Sequence, residues 1–448
     1  MTLKNSFFLA LALTGLLPTQ VFAGATPQEI ADYYEQEGFS GHIFVKKEGR
    51  ILMDRQIGKA SWTQNVPFAP EAPFYIGSVT KQMTAVAILK LQEQGLLSVS
   101  DKLETYFPTV KFADKITLAQ LLTHTSGLKN YTDLPDVIAM MTTGNPITTD
   151  EILALVDPYP LDFKPGSEWS YSNTGYVLLG LVIEKLSGKS LNEFWQQHFF
   201  QPLDMKHAAY TPGVRPANEP SGHAWDRDYQ LVPQNNGHMS WAHAAGGVYA
   251  SVYDMMKWSE GLHKGAILSP DSYTAMTTPV MEDYGYGLVI QDLNGKKLIG
   301  HSGGMPGFTC QILAIPEDDL HVVVLTNLSG ANSIADNSSL DLLLAYSGAD
   351  VQLKAPIVEQ PIGADLMNSY VGEFVIEALE MDIKVHIDQG KIYLEPAQQD
   401  AARMLYVGDD TFYLKIERIR IKFSRGETGA VTGFVLTQRG RDFTAVLK

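Results

Sequence analysis

Strand-forming segments at two distant places in the sequence are the strongest constraint on the fold. Residues 41–58 read GHIFVKKEGRILMDRQIG, two β-rich runs joined by a turn at EG, which is typical of a hairpin. Helical periodicity then dominates from Ser78 to about Leu262. Strand patterns return from Tyr286, and a helical segment, SIADNSSLDLLLAYSG, follows them. If both groups of strands share one sheet, the helical stretch is an insertion, and Ser78 is brought close to the segment around His301.

The C-terminal part of the chain has a separate pattern. Residues 351–366 combine two prolines with no periodicity, which predicts a linker. From residue 367 to residue 448, short β runs such as MDIKVHID and TFYLKIE alternate with turn residues. This spacing predicts a small all-β domain, either a sandwich or a barrel. Residues 24–350 are then expected to form the larger domain, which combines the sheet and the inserted helices.

Length and charge narrow the possible functions. The chain has 448 residues, which predicts two or three domains, and 45% of the residues are hydrophobic, enough for a sizeable core. The net charge is −16, and no run of Lys or Arg stands out. We therefore expect no nucleic-acid partner, because a phosphate backbone is bound by clustered positive charge. The single cysteine, Cys310, cannot form an internal disulfide and is expected to be a small buried residue.

The N-terminus has the pattern of a secretory leader. A Lys precedes an apolar run from Phe7 to Leu17, and Val21 and Ala23 supply the small residues of a cleavage site. This pattern predicts a signal peptide, residues 1–23, and a mature protein that is periplasmic or secreted with no stable membrane span. An uncleaved membrane anchor is the alternative, although the apolar run is short for crossing a bilayer.

Ser78 and Lys81 stand one helical turn apart at the start of a predicted helix, in the stretch YIGSVTKQMT. One interpretation is an ordinary helix cap, because serine is favoured there. However, a capping box has Glu or Gln three residues later, and a Lys at that position opposes the positive end of the helix dipole. The alternative is a nucleophile, since an amine that loses basicity in a dry site can accept the proton of a hydroxyl.

The Ser-x-x-Lys spacing also occurs a second time. Ser126 and Lys129 lie in LLTHTSGLKN, with Gly127 between them, at the end of an apolar helical run. This position predicts a helix stop followed by a turn. The position at a helix start therefore favours Ser78 over Ser126 as the reactive serine.

A third pair of polar residues precedes another predicted helix. Tyr171-Ser-Asn173 leads into TGYVLLGLVIEKLSG. The structural interpretation is a turn with an Asn cap. In the functional interpretation, Tyr171 shuttles a proton and Asn173 orients a substrate amide. That role requires nearby cations such as Lys81 to lower the pKa of Tyr171 from its usual value of about 10.

Residues 300–308, GHSGGMPGF, form a glycine-rich segment. A phosphate loop is a poor interpretation because no helix follows these glycines. At a strand edge, glycines such as Gly303 can instead let a substrate backbone approach closely. His301 would then point into the cleft, and the N–H of Gly304 could be a second oxyanion donor beside that of Ser78. A purely structural histidine is the alternative.

Metal and cofactor chemistry is not expected. The sequence has no His-Glu-x-x-His motif and no cysteine cluster. The predicted chemistry therefore depends on side chains and backbone N–H groups alone.

Taken together, the motifs Ser-Val-Thr-Lys, Tyr-Ser-Asn and His-Ser-Gly resemble those of the serine β-lactamase and D,D-peptidase superfamily. The likeness is to the branch with class C β-lactamases, D-alanyl-D-alanine carboxypeptidases, D-aminopeptidases and related esterases. The stretches LLTHTSGL, FKPGSEWSYSN and AAGGVYAS agree with it, and the resemblance covers about Gln28 to Ser347. It implies an α+β fold, in which helices flank an antiparallel sheet and a helical domain is inserted, with the active site between the two parts. The C-terminal segment resembles the barrel-like domains appended to some of these hydrolases.

The resemblance also implies a mechanism. Ser78 attacks a carbonyl while Lys81 and Tyr171 move the proton, the N–H groups of Ser78 and Gly304 hold the oxyanion, and water releases the acyl group. Most β-lactamases of this family have Lys where this chain has His301. Because histidine has an ordinary pKa of about 6.5, we expect a partial charge there at neutral pH.

These residues favour an exported serine hydrolase that acts on D-amino-acid peptides, as D,D-carboxypeptidases and D-aminopeptidases do. A β-lactamase or a small-ester esterase is the alternative within the same family, so the expected partner is a small peptide, β-lactam or ester substrate. A non-catalytic penicillin-binding sensor is the alternative of another class. The sequence leaves the oligomeric state open.

Overall fold

The computed structural model describes residues 24–448 except 136, 138–140, 142–143, 235–236, 330–331, 356, 398, 416–418 and 439–440. The predicted signal peptide, residues 1–23, lies outside the described residues. The helices with described bounds are α1 (Pro27–Gln36), α2 (Thr80–Glu93), α3 (Leu118–Leu122), α4 (Thr149–Val156), α5 (Asn173–Ser187), α6 (Leu191–Trp195), α7 (His243–Gly246), α8 (Val252–His263), α9 (Pro270–Met276), α10 (Asn332–Ser347) and α11 (Ala364–Asn368).

The strands fall into a larger group before the linker and a second group after it. The first group is β1 (Gly41–Lys47), β2 (Arg50–Ile57), β3 (Phe74–Tyr75), β4 (His223–Trp225), β5 (Leu231–Pro233), β6 (Tyr249–Ala250), β7 (Val289–Leu293), β8 (Lys296–Met305), β9 (Phe308–Ile315), β10 (Leu320–Thr326) and β11 (Leu328–Ser329). The second is β12 (Gly372–Ile376), β13 (Met381–Asp388), β14 (Lys391–Pro396), β15 (Ala402–Arg403), β16 (Leu405–Gly408), β17 (Thr411–Leu414), β18 (Ile419–Arg425), β19 (Val431–Gln438) and β20 (Arg441–Leu447).

Strands from both ends of the first domain join in one antiparallel sheet of order β2-β1-β10-β9-β8-β7. Strands β1 and β10 pair along their whole lengths, with Ile43 opposite Val324. Alternate residues of a strand point to opposite faces, so Val324 packs with α1 and α10, whereas Val323 and Leu325 pack with the core around α2 and α8. The predicted α+β fold, with helices flanking an antiparallel sheet, is confirmed.

The inserted region is mainly helical, but it is not helical throughout. Short strands lie inside it: β4 and β5 form a hairpin beside β11, and β6 pairs with β3. The helical periodicity that dominates from Ser78 to about Leu262 therefore did not reveal these short strands. These strands have two or three residues each, too few for a period of two to be visible in the sequence.

Helix α2 lies at the centre of the larger core. Every side chain from Thr80 to Leu89 is buried, so the helix packs on nearly all sides rather than on one face. Its polar residues are satisfied internally. For example, Gln82 accepts a hydrogen bond from the indole N–H of Trp258 at 2.8 Å. Because α2 is enclosed, the groups at its N-terminus hold fixed positions relative to the sheet.

The C-terminal segment forms a nine-stranded sheet of order β15-β14-β13-β12-β20-β19-β18-β17-β16, paired antiparallel along its length. The sheet is nearly closed and encloses its own core, which confirms the predicted all-β unit. Helix α11 precedes it and spans the position where the linker was expected to end. Aromatic side chains that contact one another dominate this core: Tyr370, Phe374, Phe412, Phe423 and Phe434.

The turn between β4 and β5 connects this C-terminal unit to the first domain. Arg227 forms an ion pair with Asp388, and Asp228 accepts hydrogen bonds from Lys391 and Tyr393 at 2.8 Å each. The neighbouring Tyr229 side chain also contacts the C-terminal unit through hydrogen bonds. A single turn of the first domain is thus held by several strands of the second.

None of the helices in the described part of the chain combines the length and the apolar character that crossing a bilayer requires.

Candidate active site

Ser78 lies in a single 3₁₀ turn, Gly77–Val79, that leads directly into α2. No side-chain cap hydrogen bond is present at the start of this turn or of α2, so the helix-cap interpretation of Ser78 is wrong. Gly77 has a φ of 51°, and a Cβ there would lie 2.8 Å from the backbone nitrogen of Gly304. Glycine is therefore required for this turn to press against β8.

The Lys81 amine is the centre of the site. Its Nζ lies 3.0 Å from Ser78 Oγ, 2.7 Å from Asn173 Oδ1 and 2.7 Å from the carbonyl oxygen of Ala245 in α7. The residue is fully buried, and Nζ also lies 4.8 Å from the ring centroid of Tyr171. Burial lowers the pKa of Lys81 well below its ordinary value of 10.5.

These contacts match a neutral amine. Asn173 Oδ1 and the Ala245 carbonyl oxygen can only accept hydrogen bonds, so they take the two hydrogens of an uncharged –NH₂ group. A neutral amine then has its lone pair left for the Ser78 hydroxyl, whose Oγ lies 3.0 Å away. The predicted loss of basicity of Lys81 therefore has both a cause, burial, and a geometry that directs the lone pair to the serine.

Tyr171 contacts the same hydroxyl. Its phenol forms a hydrogen bond with Ser78, and the residue is partly buried. The expectation that Lys81 lowers the pKa of Tyr171 is wrong, because burial raises that pKa well above the ordinary value. A neutral amine supplies no positive charge to oppose this effect, so Tyr171 is a protonated phenol.

Asn173 connects the lysine to the helical region. It is the first residue of α5, and its backbone N–H donates to Asn130 Oδ1 at 2.9 Å. Its Nδ2 donates to Thr132 Oγ1 at 3.0 Å, while its Oδ1 accepts from Lys81. Asn173 therefore fixes the lysine amine directly. The second hydrogen on Nδ2 is left for the predicted role of Asn173, which is to orient a substrate amide.

His301 lies on β8 and is 4% exposed. Its Nδ1 lies 2.6 Å from the carbonyl oxygen of Ser302, which accepts only, so the proton is on Nδ1. Nε2 is then an acceptor for the hydroxyl of Tyr284, 2.9 Å away. Burial, and secondarily Lys81, lower the pKa of His301 to about 3. The expectation of a partial charge at neutral pH is therefore wrong, because the ring is buried rather than open to the cleft.

Two neighbouring glycines on β8 have different surroundings. A Cβ at Gly303 would lie 2.0 Å from the carbonyl oxygen of Ile76 and 2.7 Å from Cys310 Sγ, so this strand lies directly against the segment before Ser78. A Cβ at Gly304 would meet nothing within 4 Å, and Gly304 is exposed. Gly303 is thus a packing position, whereas Gly304 borders open space beside the Ser78 turn, where the second oxyanion donor is predicted.

The second Ser-x-x-Lys pair has no comparable arrangement. Gly127 has a φ of 75°, and Ser126 Oγ accepts a hydrogen bond from the backbone N–H of Leu128. Lys129 forms an ion pair with Asp162 at 3.6 Å. The interpretation of this copy as a turn is confirmed.

Sequence reasoning missed Tyr284, the Ala245 carbonyl and His124. His124 contacts the ring of Tyr171 at a centroid distance of 4.2 Å. Two of the three lie within stretches that carried the family resemblance, LLTHTSGL and AAGGVYAS, but the letters alone do not reveal what a buried group contacts. Tyr284 begins a YGYG stretch before β7 for which no signal was recognised.

Comparison with known proteins agrees with this fold. A family model described as Beta-lactamase matches residues 28–345. Penicillin-binding protein 4* of Bacillus subtilis (strain 168) is 26% identical over 444 residues, 92% of this chain and 96% of that protein. A D-aminopeptidase of Brucella anthropi is 26% identical over 322 residues, 70% of this chain and 61% of that enzyme. The solved structure of an octameric penicillin-binding protein homologue from Pyrococcus abyssi is similar with a TM-score of 0.65, 25% identity, and coverage of 93% of this chain and 98% of that one.

The contrast between the two glycines gives a matched pair of variants. Gly303→Ala places a methyl group against backbone at Ile76, and we expect it to destabilise the fold by about 1–3 kcal/mol, because a packed site cannot give way without moving the strand. Gly304→Ala should leave the free energy of unfolding nearly unchanged. Urea denaturation followed by circular dichroism measures both. Equal stabilities for the two variants would contradict the packing described for Gly303.

The buried amine predicts a pH dependence. Lys81 is neutral above its lowered pKa and charged below it, so acylation of Ser78 should rise with pH and level off well below pH 10.5. The measurement is the rate of labelling by a fluorescent penicillin across the pH range in which the fold is intact. Tyr171→Phe should slow labelling but leave the midpoint in place. A midpoint near 10.5, or one that moves when Tyr171 is replaced, would contradict the assignment to Lys81.

Proposed function

The chain belongs to the β-lactamase family, and we propose that it is a serine hydrolase in which Ser78 forms an acyl-enzyme. The observation that carries this proposal is the 3.0 Å contact between Lys81 Nζ and Ser78 Oγ, inside a site where the amine is buried. A serine hydroxyl is a weak nucleophile until an adjacent base accepts its proton. A neutral lysine with its lone pair on that hydroxyl meets this requirement.

The proposed reaction assigns a separate role to each group. Ser78 Oγ attacks the substrate carbonyl and its proton passes to Lys81, while the N–H groups of Ser78 and Gly304 hold the oxyanion. The protonated phenol of Tyr171 donates to the departing amine or alcohol, and the proton on Lys81 then replaces the one that Tyr171 has lost. Water attacks the acyl group in the second half, with the proton transfers reversed.

We propose D-amino-acid peptides or amides as the substrate class. The relatives support this class, since one is a D-aminopeptidase and another a penicillin-binding protein. The electrostatics of the site favour an aminopeptidase-like substrate over a carboxypeptidase-like one. Lys81 has a lowered pKa, and the pKa of His301 is about 3, so neither supplies the positive charge that would pair with a substrate carboxylate. An uncharged leaving group, as in an amide or ester, fits this cleft better than a terminal carboxylate or a β-lactam acid.

The cellular location is part of the proposal. The leader pattern in residues 1–23 supports export to the periplasm or secretion, where cell-wall peptides with D-amino acids are found.

Replacing the nucleophile tests the enzymatic proposal. Ser78→Ala should abolish labelling by a fluorescent fluorophosphonate and reduce turnover of p-nitrophenyl esters by at least about 10³-fold. Ser126→Ala, in the other Ser-x-x-Lys pair, is the control and should retain both. Mass spectrometry of the labelled protein should place the adduct on the peptide with Ser78. Wild-type turnover by Ser78→Ala would refute the proposal, and a trapped acyl group without turnover would favour a penicillin-binding sensor.

A substrate panel tests the proposed leaving group. We expect kcat/KM for a D-amino-acid amide to exceed that for its L enantiomer, for D-alanyl-D-alanine and for nitrocefin, because the last two carry a carboxylate that neither Lys81 nor His301 neutralises. Product release followed by chromatography gives these values. A preference for D-alanyl-D-alanine would indicate a carboxypeptidase, and a preference for nitrocefin a β-lactamase.

A further inference from the structure

His124 makes two contacts that bracket Tyr171 along the chain. Its carbonyl oxygen accepts a hydrogen bond from the backbone N–H of Ser170 at 3.0 Å. Its imidazole Nδ1 accepts one from the backbone N–H of Ser172 at 3.1 Å. The residues immediately before and after Tyr171 are therefore both attached to a single residue of another segment.

The imidazole ring also packs on the phenol. The ring centroids of His124 and Tyr171 are 4.2 Å apart, and His124 in turn packs against Tyr176 at 5.2 Å and Tyr284 at 4.8 Å. His124 is 1% exposed, so these contacts are shielded from water. The phenol is thus restrained both through its backbone and through its ring face.

We propose that His124 is a positioning residue that holds the Tyr171 hydroxyl at Ser78, through its Nδ1, its carbonyl oxygen and its ring. The inference rests on the proposed function, in which Tyr171 donates a proton to the leaving group. It assigns to His124 no proton transfer and no contact with substrate.

The contacts require one protonation state of the ring. Nδ1 must carry the lone pair that accepts from Ser172, so the proton is on Nε2, a buried atom with no hydrogen-bond partner among the described residues. Burial, and secondarily Lys81, lower the pKa of His124 well below its ordinary value. The ring therefore stays neutral, and a second proton, which would replace the acceptor by a donor, is disfavoured.

The backbone of His124 fits this role. Its φ is 59°, in the left-handed region that asparagine tolerates better than most residues. Asparagine also carries an oxygen near the position of Nδ1. His124→Asn therefore keeps the acceptor for Ser172, whereas His124→Leu keeps volume but removes the acceptor. Thr123→Val is a control in the same buried segment, because it removes hydroxyl contacts to Ala119 and Thr125 but none to Tyr171.

Kinetics on a p-nitrophenyl ester provide the first test. We expect His124→Leu to lower kcat on the order of 10–100-fold with little change in KM, because a displaced catalytic group impairs chemistry more than binding. His124→Asn should recover most of the loss, and Thr123→Val should match the wild type. If His124→Leu does not fold, His124→Gln is used instead, because the side-chain oxygen of glutamine lies one methylene further from the backbone than that of asparagine.

A double-mutant cycle separates positioning from a general structural role. In the Tyr171→Phe background, His124→Leu should cause less than about a twofold further loss, because the hydroxyl it positions is already absent. Independent, multiplicative losses would overturn the inference. The inference would also be overturned if His124→Asn had the same activity as His124→Leu, or as His124→Gln where that variant is used instead.

A readout without turnover distinguishes this inference from the proposed function. With ¹³Cζ-labelled tyrosine, the resonance of Tyr171, assigned by its absence in Tyr171→Phe, should stay in place in Thr123→Val. It should shift more in His124→Leu than in His124→Asn, since both variants lose the imidazole ring but only His124→Leu also loses the acceptor for Ser172. An unshifted resonance in His124→Leu would overturn the inference. If the variants show the expected shifts but the wild-type protein hydrolyses no substrate, the proposed function is refuted and the positioning role is still supported.

Discussion

The site depends on a lysine amine that is held out of water and has no charged partner among the residues that the structure describes. The contacts described for Lys81 Nζ are a hydroxyl, an amide oxygen, a backbone carbonyl and aromatic ring faces. Such surroundings satisfy an uncharged amine and penalise an ammonium ion, which costs several kcal/mol to desolvate. Unfolding returns the amine to water and lets it bind a proton, so the site lowers stability progressively as the pH falls below 10.5. The packing of α2 has to offset this cost.

Three parts of the chain that are distant in sequence fix the groups around the amine. The turn Gly77–Val79 and the helix α2 that follows it supply Ser78 and Lys81, the start of α5 supplies Asn173, and strand β8 supplies the backbone of Gly304. The sheet joins the first and third, since β8 lies against the turn that carries Ser78. The helical insertion brings in the second. Neither the sheet nor the helical insertion alone supplies all the groups around the amine, so the site lies between the sheet and the inserted region.

The sequence predicted the antiparallel sheet, the separate β unit and the pairing of Ser78 with Lys81, because these follow from local periodicity and from one helical turn. It did not predict the protonation states of Tyr171 and His301, which depend on burial by residues far away in sequence. For the same reason His124 went unnoticed, since a histidine in a loop has no periodicity, and its role is defined only by the segment it contacts. The roles of the site residues in catalysis remain predictions.

The β4–β5 hairpin has contacts at both ends. Its turn, with Arg227 and Asp228, is bound by the C-terminal unit. At its base, Gly222 lies so close to Gly307 that a Cβ on the latter would approach Gly222 Cα to 2.5 Å. Gly307 belongs to the turn that follows the end of β8, three residues after Gly304. A chain shortened to end at the linker would lose the C-terminal contacts of this hairpin, and we therefore expect the hairpin to hold its position against the β8–β9 turn less firmly.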